Sequence, residues 1–175
     1  MTSKDLRRQF YKGNKLAFGA AIAVTLLMAV LSLSTSWLIQ QLMDTISGVE
    51  GALGLKVLAL LTAGLIGLAV VLGMVEYHSK PRFMKRAIQQ YKEFAFENLL
   101  KKNINTFNGE AAASYISALS NDVTSIELNY LEKQFGLITS LVMFTGAFAM
   151  MLFYSPLLTL IVVLLLILPV ITVLF

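Results

Sequence analysis

No cysteine occurs in this chain, and histidine occurs once, at position 78. The first absence excludes a disulfide framework and any thiolate metal site. The second excludes the His-x-x-x-His and multi-histidine zinc patterns and any Ser-His-Asp or Cys-His nucleophile built on several candidate bases. No metal site and no catalytic residue is therefore expected. Gly-Lys never occurs as a dipeptide either, so the phosphate-cradling loop G-x-x-x-x-G-K-[ST] is missing. Charge is scarce as well: 14% of residues carry it, against about 25% in ordinary soluble domains.

The scarcity is local rather than spread out. No charged residue lies between Leu16 and Met43, between Val57 and Val75, or from Gln134 to Phe175. About 20 apolar residues of helix cross a hydrocarbon core of ~30 Å, so the first two gaps hold one span each. The third has room for two. Within it "FYSPLLTL" marks a break, with Ser155 as an N-cap and Pro156 in the first turn of a new helix. The expected fold is an all-α membrane protein with spans at about 16–43, 55–78, 132–154 and 156–175 and a cytoplasmic helical loop at about 79–131.

The basic residues fit topology. Lys4, Arg7, Arg8, Lys12 and Lys15 precede the first span, and seven Lys or Arg lie from Lys80 to Lys102. Between the first two spans stand Asp44, Glu50 and Lys56. By the positive-inside rule the N-terminus and the long middle segment face the cytoplasm, in a multi-pass protein of the cell membrane. The run from Lys80 to Arg86 reads as a solvated face or an inner-leaflet anchor attracting anionic lipid, and nucleic acid is not an expected partner. Leu16 to Met43 exceeds a signal-peptide core and no small-residue cleavage site closes it, so it reads as an uncleaved span.

In the first span Thr25, Ser32, Ser36 and Gln40 recur at seven, four and four residues, along one helical face. Two readings stand: hydrogen-bonding glue between helices, or a surface of a translocation pathway. Trp37 fits an interfacial anchor or a bundle contact. In the second span Ala59, Ala63 and Gly67 recur every four residues, which lets a neighbouring backbone approach. His78, beside Glu76 at the predicted inner interface, is structural or a proton sensor.

Helical periodicity does not stop where the second apolar run ends. Met84, Ile88, Tyr91, Ala95 and Leu99 continue it, with Lys and Glu on the other faces. A helix from Leu55 to Asn103 would be roughly 70 Å long, with a kink at Pro81. "NTFNGE" then breaks the pattern, since Asn-Gly is a turn signal. Beyond it Tyr115, Leu119, Val123, Ile126 and Tyr130 run at helical spacing into the third apolar run at Phe135, so a second long helix climbs back beside the first.

Two long helices joined outside the membrane by a short segment after an Asn-Gly break resemble the first intracellular loop of ATP-binding-cassette (ABC) exporters. The local match is "YISALSNDVTSIE", in which Ile116, Ser117, Leu119, Ser120, Asn121, Asp122 and Val123 fit the family's pattern Gly-Glu, two small or apolar residues, Ser-Arg-Leu-Thr-Asn-Asp-Val. The family's glycine falls on Ala113 and its arginine on Ala118. "SPLLTLIVV" with Pro169 is similar to the family's fourth helix.

The resemblance implies a transmembrane domain of which about four of six helices are present, so the chain is expected to be an N-terminal fragment, its end at "LPVITVLF" lacking a charged flank. It implies partners: a nucleotide-binding domain that uses ATP and Mg, a second transmembrane half as homo- or heterodimer, and the lipid bilayer. No cofactor is expected in this chain itself. It assigns coupling to the nucleotide-binding domain to Phe107, Asn108, Gly109, Glu110, Ala111, Ala112, Ala113, Ser114, Tyr115 and Asp122, though Asp122 and Glu110 also read as solvated face residues. The alternative function is a complete small four-helix membrane protein with a structural or regulatory role. Two further apolar spans and a phosphate-binding loop in the reading frame beyond Phe175 would separate the two.

Overall fold

The computed structural model describes residues 8–100, 117, 121 and 123–174. Their regular structure is entirely helical: α1 Lys15–Ile46, α2 Leu55–Leu100, α3 Val123–Ile126, a π-helical turn Glu127–Leu131, α4 Glu132–Tyr154 and α5 Pro156–Leu174. Three helical segments, Lys15–Ile46, Leu55–Asn98 and Val123–Tyr154, are long and apolar enough to cross a membrane. The described apolar stretch Pro156–Pro169 is shorter, on a helix whose backbone runs for 19 residues.

Local chemistry sets the boundaries. Gly13 takes φ +68° just before α1, a left-handed conformation that glycine adopts without steric cost. Asn14 follows, its carbonyl accepting the first α1 bond from the Phe18 N–H at 3.0 Å. At the other end Gly48 takes φ +69°. There the Val49 N–H donates to the Asp44 carbonyl at 3.0 Å and the Gly48 N–H to that of Thr45 at 3.3 Å, the paired bonds of a Schellman stop. Thr45 Oγ1 also donates to the Leu53 carbonyl at 2.7 Å, tying down the loop. Ser155 behaves as the sequence predicts: it caps α5, with the Leu158 N–H donating to its Oγ at 3.4 Å and Pro156 in the first turn.

Helix α2 has 46 residues and passes through Pro81 without a break in its assignment. At ~1.5 Å per residue its described part extends about 69 Å, and the predicted end at Asn103 lies outside the described residues.

The chain divides into two compact units. Unit 1 holds residues 1–28 and 66–138, unit 2 residues 29–65 and 139–175. In unit 1 the core is Phe10, Ala21, Phe83, Ala87, Leu131 and Phe135, with Tyr11, Phe18, Met84, Ile88, Tyr91, Ile126 and Tyr130 packed on it. The predicted stripe Met84, Ile88 and Tyr91 is thus one edge of the buried face of α2, whose centre lies at Phe83 and Ala87. In unit 2 a Cβ at Gly146 would collide with the Leu33 side chain, so α4 and α1 approach where glycine permits it.

Candidate functional site: the junction of α1, α2 and the ascending helix

Unit 1 brings three chain segments together where the first and third charge-free runs begin and just past the end of the second. The helical turn at residues 8–11 places Phe10 in the core, stacked on Tyr91 at 5.3 Å between centroids and tilted against Tyr130 at 6.0 Å. One residue on, Tyr11 meets the Phe18 ring edge-on at 4.9 Å, and its hydroxyl donates to Gln134 Oε1 at 2.8 Å. Phe18 lies 4.9 Å from Phe83, and Phe83 meets Phe135 edge-to-face at 6.0 Å. Such pairs contribute about 0.5–1.5 kcal/mol each beyond area burial.

A buried amide fixes the register. Asn14 is 1% exposed and its Nδ2 donates to the Phe83 carbonyl at 3.0 Å, while its Oδ1 has no hydrogen-bond partner among the described residues. Its side chain therefore clips α1 to α2 rather than capping its own helix. Lys80 Nζ sits 5.3 Å from the Phe135 ring centroid and pairs with Glu76 one turn earlier. Three contacts, Asn14 to Phe83, Tyr11 to Gln134 and Lys80 to Phe135, thus bring the starts of the first and third apolar runs level with the part of α2 just past the end of its own.

The ascending helix reaches this seam through a wider turn. Within Glu127–Leu131 the helix is π, and the Glu132 N–H donates to the Glu127 carbonyl five residues back. Leu131, five residues after Ile126, is fully buried, and Phe135 follows on the same core. In a plain α-helix a five-residue step turns ~500°, leaving Leu131 about 140° off the face that holds Ile126. The extra residue of the π turn carries it back.

The polar stripe of α1 occupies two settings. Thr25 is 1% exposed and its hydroxyl donates to the Ala21 carbonyl at 2.9 Å. Ser32 and Ser36 are exposed, the Ser36 Oγ donating to the Ser32 carbonyl at 3.4 Å, and Gln40 is half-buried. The hydroxyl protons of Thr25 and Ser36 thus stay on their own helix. His78 is exposed, its Nδ1 2.8 Å from the Met74 carbonyl and its ring edge-on to Tyr77. Below the junction Lys12 lines a groove of about 520 Å³ with Glu93 and Glu97. Among the described residues no three His, Cys, Asp or Glu are grouped to hold a metal ion. The coupling positions Phe107 to Tyr115 and Asp122, with Ala118, lie outside the described residues.

The architecture has three membrane-length helices, one continuing far past its apolar run. The model of the ABC transporter transmembrane region matches residues 18–175. The chain belongs to that family. As an ABC transporter transmembrane subunit it has the all-α, multi-pass fold of the exporter type, and its matched stretch is the non-catalytic transmembrane region. No curated protein matches the chain.

Phe10, Tyr11, Asn14, Phe18, Phe83 and Leu131 build the junction of this ABC transporter domain and are absent from the sequence-derived site. One signal was there to be read: aromatics at 10, 11, 18, 130 and 135 cluster at the starts of the first and third charge-free runs, and those at 83 and 91 follow the second. Leu131 gave no such signal, because its five-residue step from Ile126 does not belong to an α-helical period.

Proposed function

We infer that this chain is part of an ATP-driven exporter, in which α2 and the ascending helix are levers between the spans and a nucleotide-binding domain. The observation that carries the reading is the continuity of α2 from Leu55 to Leu100, more than twice the hydrocarbon thickness. A helix transmits displacement because its backbone bonds are internal, and the aromatic junction binds the levers where they meet the spans. Residues 1–175 then form a partial transmembrane domain with spans at about 16–43, 55–78, 132–154 and 156–175, four of six, and a cytoplasmic loop at 79–131.

In this reading the N-terminus is cytoplasmic in the cell membrane, and a second transmembrane half completes a homo- or heterodimer. ATP and Mg act in the nucleotide-binding domain. Phe107 to Tyr115 and Asp122 receive the push of its closure, and the outward-facing Ser32 and Ser36 with Gln40 line the path, Thr25 anchoring the stripe in its packed section. Proline in place of Ala112 in the complete transporter is expected to leave ATP hydrolysis within about twofold and cut transport about tenfold or more, since proline removes a backbone N–H and fixes φ in the segment that would take up the push. Unchanged transport at normal expression would count against the coupling role.

A further inference from the structure

We propose that the junction carries a docking surface for anionic phospholipid headgroups, formed on the flank of α2 by Arg82, Lys85 and Arg86, with Lys15 and Lys133 exposed at the same level of the neighbouring segments. At ~100° per residue Arg82, Lys85 and Arg86 fall on one side of the Phe83–Ala87 seam, and all three are exposed. Asn14 on the Phe83 carbonyl brings Lys15 to the same level, and Tyr11 on Gln134 brings Lys133 there. Both lysines are exposed, and among the described residues none of the five pairs with a carboxylate. Of the local acids Glu76 is held by Lys80, Glu93 and Glu97 line the groove below with Lys12, and Glu132 is exposed beside Lys133 on the ascending helix, not on α2.

Position selects the ligand. Lys15 and Lys133 each stand next to a charge-free run, and α2 emerges from its own just before Lys80. Five cations at the level where apolar helix gives way to water meet the phosphates of a bilayer before any soluble anion. Arg82 and Arg86, one turn apart, offer planar donor forks that match phosphate oxygens, with Lys85 adding a point charge beside them. The inference rests on the membrane reading of the spans and not on transport.

The test is the association of spin-labelled phosphatidylglycerol and phosphatidylcholine with the full chain in bilayers of both lipids, present in both leaflets so that orientation has no bearing. Phosphatidylglycerol is expected to associate about fivefold more strongly, a preference that falls as salt is raised. Arg82→Gln with Lys85→Gln and Arg86→Gln should bring the ratio close to one. Exchanging lysine and arginine at the three positions should keep most of it, and Lys56→Gln, at the other end of α2, should leave it unchanged. A wild-type ratio near one, or a wild-type preference indifferent to salt, overturns the proposal even if the glutamine variant fails to fold. So does a folded glutamine variant that keeps the full preference. Loss of transport in any variant with the ratio intact bears on the lever reading alone.

Discussion

Replacing Phe83 with alanine is expected to destabilise the chain by about 3–5 kcal/mol, the range for truncating a fully buried phenylalanine. Phe83 has no exposed surface and touches the rings of Tyr11, Phe18 and Phe135. Truncation leaves a hole between three segments that are far apart in sequence, and none can close it alone without giving up its other contacts. Phe96 lies on the same helix but is 54% exposed. Its alanine variant should stay within about 0.5 kcal/mol of wild type. Reversible unfolding in mixed micelles, followed by helical signal, compares the two. Equal losses, or a Phe83→Ala loss below about 1 kcal/mol, would remove the junction from its place as the structural centre of unit 1.

The π turn gives the second large contrast. Deleting Asn129, an exposed residue whose amide donates only to the Ser125 hydroxyl, removes the extra residue and lets Glu127–Leu131 close as α-helix. Leu131 and Phe135 then keep the face they now occupy, and the deletion should cost about 1 kcal/mol or less. Inserting one alanine between Glu132 and Lys133 has no such outlet. It turns Phe135 by ~100° away from Phe18 and Phe83, a loss comparable to removing the ring, about 3–5 kcal/mol. A deletion as damaging as the insertion would mean that the π turn itself, and not the register it restores, holds the core. Unfolding free energies and backbone exchange at residues 123–135 read the difference.

The boundaries of this fold were legible where local chemistry decides them. Ser155-Pro156 announced a helix start, and the periodicity after Glu76 announced that α2 outlasts its apolar run. These signals reside in neighbouring residues and survive without tertiary context. The centre of the buried face was misplaced by one position because Phe83 sits between Arg82 and the Lys85-Arg86 pair, and the charged run masks it. Asn14 shows a different difficulty. Its type and place fit an N-cap, yet its side chain bonds across to Phe83, a choice set by a partner 69 residues away. Leu131 depends on a π turn, which no α-period pattern contains.

The same reasoning explains the polar stripe of α1. Spacing put Thr25, Ser32, Ser36 and Gln40 on one face, but spacing does not say what covers that face at each depth. Thr25 is enclosed and Ser36 is open, so one stripe serves packing in one section and is exposed in another.

The central claim is that α2 leaves the membrane and continues through water as a lever, and the natural absence of cysteine makes a single-cysteine scan its most direct test. Cysteines placed one at a time at exposed positions from Val57 to Val75 should resist a charged maleimide. Those at Lys85, Gln89, Lys92 and Phe96 should react from one side of the membrane only, and a cysteine at Gly51 should react only from the other. Protection of the whole stretch from Lys85 to Phe96, or reaction of Lys92 and Gly51 positions from the same side, would contradict the account.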